Sequence, residues 1–139
     1  MVKTMRNDRR IPIALLTLRL SVFLVMLMWT LDKFVKPDHA AAVFQKFYQI
    51  GGLSQEIFYL IGSIQLCILL GFVAGWKKRW TYLLVLLFHS VSTFSSYRQY
   101  LDPFNNLLFF AAWPMLAACF SLYFLRDLDT LWTLTYSPD

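Results

Sequence analysis

Four long runs of apolar residues constrain this chain more than any other feature of its sequence. They cover residues 11–31, 57–75, 80–97 and 104–125, and Arg19 is the one formal charge within them. About 20 apolar residues in a helix cross the hydrocarbon core of a bilayer, so each run is long enough to span a membrane. Lipid offers the backbone no hydrogen-bond partners, so each run is expected to be a helix.

The composition agrees with a membrane protein and excludes several other classes. Of the 139 residues, 58% are hydrophobic and 15% are charged, whereas soluble domains average about 45–50% and about 25%. The runs do not alternate apolar and polar residues, which argues against strands of a membrane barrel. The first run exceeds the apolar core of a signal peptide and lacks a small-residue cleavage site, so we expect it to be retained.

The distribution of lysine and arginine predicts the orientation. Such residues concentrate on cytoplasmic loops, and four spans place eight of them on one side and four on the other. The sequence therefore predicts an all-α, up-down bundle of four transmembrane helices with both termini in the cytoplasm. The cytoplasmic set is Lys3, Arg6, Arg9, Arg10, Lys77, Lys78, Arg79 and Arg126; the outer set is Lys33, Lys36, Lys46 and Arg98. We assign the net charge of +5 to topology and anionic lipid, not to nucleic acid.

Several local features refine this topology. Residues 32–55 form a long outer loop, and residues 127–139 form a cytoplasmic tail whose apolar side chains lie on the membrane interface. Arg19 is expected to extend toward the cytoplasmic surface, and Pro114 to kink the fourth helix. The apolar residues of the tail are Leu128, Leu131, Trp132 and Leu134.

Small residues mark where the helices are expected to touch. Gly71 and Gly75 form a GxxxG pattern near the inner end of the second span, and Ala117 and Ser121 lie four apart in the fourth. Helices in lipid associate through such small residues. Packing within the bundle is the favoured interpretation, and a homo-oligomer is the alternative.

Polar residues inside the spans are costly and therefore informative. Gln65 lies in the second span and His89 in the third, each roughly 12–14 Å from its end at the helical rise per residue. Both fall near the midplane, where antiparallel neighbours can bring them into hydrogen-bonding contact. His89, then Ser92 or Thr93, and then Ser96 recur at helical spacing and form one polar stripe.

Charged residues gather at the outer ends of the spans, toward which this stripe points. Together they predict a cavity that opens outward and narrows to Gln65 and His89. Two interpretations remain open: these polar residues join the helices, or they bind a small molecule such as a quinone, whose chemistry suits histidine. The predicted pocket residues are Gln65, His89, Ser92, Ser96, Asp32 and Arg98, with Lys33, Glu56 and Asp102 as charges at the mouth.

No metal site is predicted. His39 and His89 are the only histidines, and they lie at different depths. Cys67 and Cys119 are on different helices without a CxxC motif, so we interpret both as small buried residues.

Short motifs in a fixed order resemble the DoxX family of small four-helix membrane proteins. They run from Leu-Arg-Leu at 18–20 and Leu-Asp-Lys-Phe at 31–34 to Gly-Ser-Ile-Gln at 62–65 and Asn-Asn-Leu-Leu at 105–108. Two departures stand out. Thr30 replaces a frequent glycine, and Gln65 replaces a frequent glutamate, so a proton-coupled role at that position is not expected here.

The resemblance implies two kinds of function. One is an accessory or assembly subunit, without catalysis of its own, that binds another membrane or envelope protein. The other is a quinone- or small-molecule-binding subunit of a membrane oxidoreductase complex. Family grounds also point to a bacterial inner membrane. A transporter is disfavoured, because the chain has neither an inverted repeat nor a pair of broken helices.

Overall fold

Within residues 8–134, which the computed structural model describes, all regular secondary structure is helical. The all-α prediction is therefore confirmed for this part of the chain, and Lys3, Arg6 and the last five residues of the predicted tail lie outside it. The α-helices are α1 (Arg10–Val35), α2 (Pro37–Tyr48), α3 (Gln55–Val73), α4 (Lys78–Ser95), α5 (Tyr97–Tyr100) and α6 (Ala112–Phe124). Short 3-10 helices cover Pro103–Asn105, Leu107–Ala111 and Arg126–Leu128.

Three of the helical segments described are long and apolar enough to cross a membrane. They are Arg10–Val35, Gln55–Val73 and Leu107–Phe124, and they correspond to the first, second and fourth predicted spans. The third predicted span is also a helix, α4, but it is not among these three. Its composition is more polar, because it begins with Lys78 and Arg79 and carries His89 and several hydroxyl residues.

The predicted outer loop contains a helix that the hydropathy pattern did not indicate. Helix α2 begins at Pro37, a position at which the missing N–H of proline is no loss. It ends at Tyr48 and is followed by Gln49, whose φ of 58° is left-handed. Its apolar residues at positions 40, 43, 44 and 47 recur at helical spacing, and that period was the available signal.

Pro114 does not occupy the middle of a continuous α-helix. The segment before it, Leu107–Ala111, is a 3-10 helix, and α6 begins only at Ala112. Pro114 therefore lies in the first turn of α6, where proline is tolerated. The expected mid-span kink is replaced by a change of helix type.

The helices pack around one apolar core. Helix α1 contacts α3 and α6, and α4 contacts the same two helices from the opposite side. Helix α2 lies across α1, α3 and α4. We call the two ends of this assembly the Arg10 end, where α1 begins, and the Lys33 end, where α1 finishes. The most buried apolar side chains of the core are Leu15, Val22, Leu69, Phe72, Val85 and Leu122.

The predicted small-residue contacts divide into three cases. A Cβ atom on Gly71 would lie 3.0 Å from Cγ2 of Thr81, so Gly71 permits α3 and α4 to approach closely. Gly75 lies beyond the end of α3 with a φ of +63° and packs against Thr133, so it terminates a helix and does not join two. Ala117 is exposed and Ser121 half-buried, while α6 buries Cys119 and Leu122.

The C-terminal segment, residues 126–134, folds back onto the Arg10 end of the helices. Arg19 is 0% exposed, and its Nη1 lies 2.8 Å from Oδ2 of Asp129, which is also 0% exposed. Nη2 donates hydrogen bonds to the carbonyl oxygens of Leu131 and Trp132. The expectation that Arg19 extends to the surface is therefore wrong, because the chain brings it an acidic partner inside the protein.

Three further contacts hold this segment in place. The Tyr82 hydroxyl donates to Oδ2 of Asp129 at 2.6 Å, and Lys78 Nζ donates to the Asp129 carbonyl oxygen at 2.6 Å. The backbone N–H of Leu134 donates to the carbonyl of Ala74 at 2.9 Å. The predicted placement of the tail at the interface stays a prediction, although Leu128, Trp132 and Leu134 are exposed as it requires.

Candidate functional site

A cavity of about 910 Å³ lies between α1, α2, α4 and α6 in the half of the molecule nearer the Lys33 end. Its walls are mainly aliphatic and aromatic side chains from these four helices, and α3 contributes Gln65. A volume of this size suits a small-molecule ligand. The apolar lining includes Leu18, Val22, Met26, Val43, Phe44, Phe47, Phe109, Met115 and Ala118.

His89 is the most buried polar residue of the cavity wall, at 1% exposed. Its Nε2 lies 2.9 Å from the Ala112 carbonyl oxygen and therefore carries the proton that is donated there. With Nε2 protonated, Nδ1 of the neutral ring is an acceptor. Nδ1 is buried and has no hydrogen-bond partner among the described residues.

Two neighbours fix the orientation of the His89 ring. Trp29 of α1 stacks against it with a centroid distance of 5.9 Å and an interplanar angle of 24°. The Thr93 hydroxyl donates to the His89 carbonyl oxygen at 2.7 Å and lies 3.2 Å from Nε2. The ring is thus held by contacts on its face and at Nε2, while Nδ1 makes no hydrogen bond to a described residue.

Gln65 lines the same cavity but does not bond to His89. Its Oε1 is buried and, within residues 8–134, has no hydrogen-bond partner. The hydrogen bond expected between these two residues is not formed, and Nε2 of His89 donates instead to the Ala112 carbonyl oxygen. The cavity wall therefore carries two buried acceptor atoms that lack donors.

The two serines of the predicted stripe, Ser92 and Ser96, also reach the cavity, together with Ser95. Ser92, Ser95 and Ser96 line it near the Lys33 end of α4. Ser95 and Ser96 each donate a hydrogen bond to the Ser92 carbonyl oxygen, at 2.8 and 3.2 Å. Their hydroxyl oxygens remain capable of accepting further hydrogen bonds.

Three charged or titratable residues form the cavity rim at the Lys33 end. Asp32 Oδ2 lies 2.6 Å from Nδ1 of His39, which joins the end of α1 to the first turn of α2. Lys33 lines the cavity, is 9% exposed and donates to the Trp29 carbonyl oxygen at 3.2 Å. Its Nζ lies 5.9 Å from the centre of the Phe44 ring.

The remaining predicted residues lie away from the cavity. Arg98 is exposed and contacts the Tyr97 ring and hydroxyl. Glu56 is exposed at the start of α3, and Asp102 accepts hydrogen bonds from the Asn105 side chain. None of these three lines the cavity.

Sequence reasoning missed the contribution of α2 to the site. Ala40, Val43, Phe44, Phe47 and Tyr48 all line the cavity, so this helix covers one of its sides. Within residues 8–134, no group of three His, Cys, Asp or Glu side chains is arranged to hold a metal ion. Cys119 is buried as expected, whereas Cys67 is exposed.

In comparisons with known proteins, no family model, no curated protein and no solved structure matches this chain. The geometry of the cavity and the sequence motifs therefore carry the functional argument.

Proposed function

We propose that this chain is an integral membrane protein that binds an amphipathic small molecule in the cavity beside His89. The observation that carries the proposal is the pair of buried acceptors, His89 Nδ1 and Gln65 Oε1, in a largely apolar cavity. A buried polar atom without a partner is destabilising, and native proteins contain few of them. A ligand hydroxyl donated to either atom removes that cost.

The proposed topology has four transmembrane helices, with α4 as the third span and both termini in the cytoplasm of a bacterial cell. Three apolar helices and the eight-to-four distribution of cations support it. A cysteine-free background with Asp38→Cys or Asp127→Cys tests it, since these exposed residues lie at opposite ends. A membrane-impermeant maleimide should label Asp38→Cys in intact cells and Asp127→Cys only after permeabilisation. The reverse pattern would refute the orientation.

Native mass spectrometry of the full chain in mild detergent tests ligand binding. We expect the wild-type protein to carry a small molecule, and His89→Phe and Gln65→Leu to lose it. Phenylalanine keeps a ring against Trp29 and removes the acceptor. Ser90→Ala is the matched control, because Ser90 is next to His89 but bonds to the Leu86 carbonyl oxygen. A wild-type protein free of any bound small molecule would overturn the proposal.

A quinol is one ligand that fits the two acceptors. The reduced form of a quinone presents hydroxyl donors, whereas the oxidised form presents carbonyl oxygens that only accept. On this basis the site favours the reduced form, and the protein is a quinol-binding subunit that requires a partner for electron transfer. A higher affinity for menadiol than for menadione under anaerobic conditions would support this role. Equal affinities would exclude it.

The second candidate role is the accessory or assembly subunit implied by the DoxX-like resemblance. The connection between α5 and the apolar segment Leu107–Phe124 favours it, because Leu101 and Phe104 are 80% and 87% exposed. Exposed apolar residues of this size at one end of the helices are suited to a protein contact. A stoichiometric membrane or envelope partner that Leu101→Ser loses and His89→Phe retains would support this role over ligand binding.

A further inference from the structure

The Lys33 side chain occupies an unusual position for a lysine. It is 9% exposed and lines the cavity at its rim. Its one hydrogen bond to a described residue goes to the carbonyl oxygen of Trp29, a neutral acceptor in the preceding turn of α1. A buried ammonium group is costly unless it is paired, and a single carbonyl oxygen leaves two of its N–H groups to be satisfied.

The acidic residue next to Lys33 does not pair with it. Asp32 Oδ2 is 2.6 Å from His39 Nδ1. Across residues 8–134, no carboxylate oxygen lies within 4.0 Å of Lys33 Nζ. The Phe44 ring, 5.9 Å from Nζ, supplies a weak cation–π contact. Asp32 therefore acts on the Lys33 ammonium through its charge, without a direct ion pair, while its carboxylate contacts His39.

The position of Lys33 relative to His89 determines the order in which polar and apolar groups would follow one another along a bound ligand. Trp29 contacts both residues: its ring stacks on His89 and its carbonyl oxygen accepts from Lys33. Lys33 follows Trp29 by four residues, so it lies about one helical turn closer to the Lys33 end. Toward the Arg10 end the lining is mainly apolar, near Leu18 and Ala118, and the one hydroxyl there, that of Ser21, donates to the Thr17 carbonyl oxygen. From the inner part of the cavity to its rim, a bound ligand therefore lies against apolar walls, then beside the two acceptor atoms, and then at the Lys33 ammonium group.

We infer that the ligand is an anionic amphiphile whose carboxylate or phosphate pairs with Lys33 at the cavity rim. This inference rests on the proposed ligand-binding function and narrows its ligand class. The apolar part of such a molecule lies toward Met115 and Ala118, and its charged group lies at Nζ. A quinol offers donors to His89 and Gln65 and no anion to Lys33, whereas an ionised acid offers an anion to Lys33 and no donor to the two acceptors. The charge that the site requires therefore distinguishes the two ligand classes.

The experiment measures how the affinity depends on the charge of the ligand, both in the wild-type protein and in variants of Lys33. Purified full-length protein in a neutral maltoside detergent is titrated with palmitate, with methyl palmitate and with dipalmitoyl phosphatidic acid. The methyl ester keeps the chain and removes the charge. The variants are Lys33→Met, Lys33→Arg and Lys36→Met; Lys36 is the matched control because it is exposed and does not line the cavity.

We expect wild-type protein to bind at least one anionic probe about tenfold more tightly than the ester, the size expected for a charge-assisted hydrogen bond. Lys33→Met should remove this preference and leave ester binding within about twofold, whereas Lys33→Arg and Lys36→Met should keep the preference. Tighter binding of palmitate indicates a single-chain acid, and tighter binding of phosphatidic acid indicates a phospholipid headgroup.

Three outcomes would overturn the inference. In the first, the wild type does not distinguish acid from ester. In the second, Lys33→Met keeps the preference of the wild type. In the third, the protein binds neither anionic probe while the native spectrum shows a bound neutral molecule, and the proposed ligand-binding function then stands without this inference. A protein that binds no probe and carries no small molecule contradicts both.

Discussion

The Arg19 guanidinium and the Asp129 carboxylate form an ion pair of 2.8 Å in which both side chains are fully buried. One partner belongs to the first helix and the other to the C-terminal segment. Taking two charges out of water is expensive, and the Tyr82 hydroxyl and two backbone carbonyl oxygens compensate part of that cost. The pair therefore makes the position of the C-terminal segment dependent on α1.

Asp129→Asn should destabilise the protein by about 3–5 kcal/mol, because it leaves the Arg19 charge buried without a counter-ion. The measurement is reversible unfolding in mixed micelles of sodium dodecyl sulfate and maltoside. Asp127→Asn is the matched control at an exposed position of the same segment and should have little effect. The double variant Arg19→Met/Asp129→Leu should recover much of the lost stability, as replacement of a whole buried pair often does. Equal stabilities of the two single variants would contradict this role of the pair.

Tyr82→Phe should cost about 1–3 kcal/mol of unfolding free energy, because the lost hydroxyl both donates to Asp129 and accepts from Arg19. The same unfolding assay measures it. Tyr97→Phe provides the comparison, since the Tyr97 hydroxyl is bonded only to the exposed Arg98. If both substitutions have the same small effect, the Tyr82 hydroxyl does not contribute to the buried cluster.

Gly75→Ala should destabilise the protein more than Gly52→Ala. Both glycines have positive φ, +63° and +75°, so both substitutions carry a backbone cost of about 1 kcal/mol. A Cβ atom at Gly75 would also lie 2.5 Å from Cγ2 of Thr133, whereas nothing lies within 4 Å of one at Gly52. The difference between the two unfolding free energies measures the contact between the end of α3 and the C-terminal segment. If the two variants had the same unfolding free energy, the C-terminal segment would be able to move away from the end of α3 without loss of stability.

Ala118→Leu should displace the bound molecule while the protein stays folded, because the larger side chain projects into the cavity that Ala118 lines. Ala117→Leu is the control on the next residue, which is exposed and does not line the cavity. Bound small molecule per protein, measured by native mass spectrometry, should fall at least about tenfold in the first variant and not in the second. Equal retention in both variants would place the ligand outside this cavity.

Hydropathy predicted the long apolar helices of the fold well, but it did not predict helix α2. The apolar runs correspond to helices because a bilayer-length apolar segment has few other structures available. Helix α2 was missed because its mean hydropathy is that of a loop, while its apolar residues repeat at helical spacing. Hydropathy could not predict that the segment before Pro114 is a 3-10 helix, because an apolar sequence does not distinguish a 3-10 helix from an α-helix.

The sequence predicted how far along their helices the site residues lie, but it did not predict which atoms they contact. Counting residues along the helices placed Gln65 and His89 at similar levels, and both line the cavity. Counting does not reveal that the Ala112 carbonyl oxygen occupies Nε2 of His89, or that Arg98 lies on the outer surface. The partnership of Arg19 with Asp129 joins residues far apart in the sequence, and local periodicity carries no information about such contacts.

The buried ion pair also has a consequence for the order of events during synthesis. Arg19 leaves the ribosome long before Asp129, so in a chain inserted during translation the first helix enters the bilayer with a charge that has no counter-ion. Only when the last segment emerges can that charge be neutralised. A chain truncated before residue 129 then keeps an arginine in an apolar interior without its acidic partner.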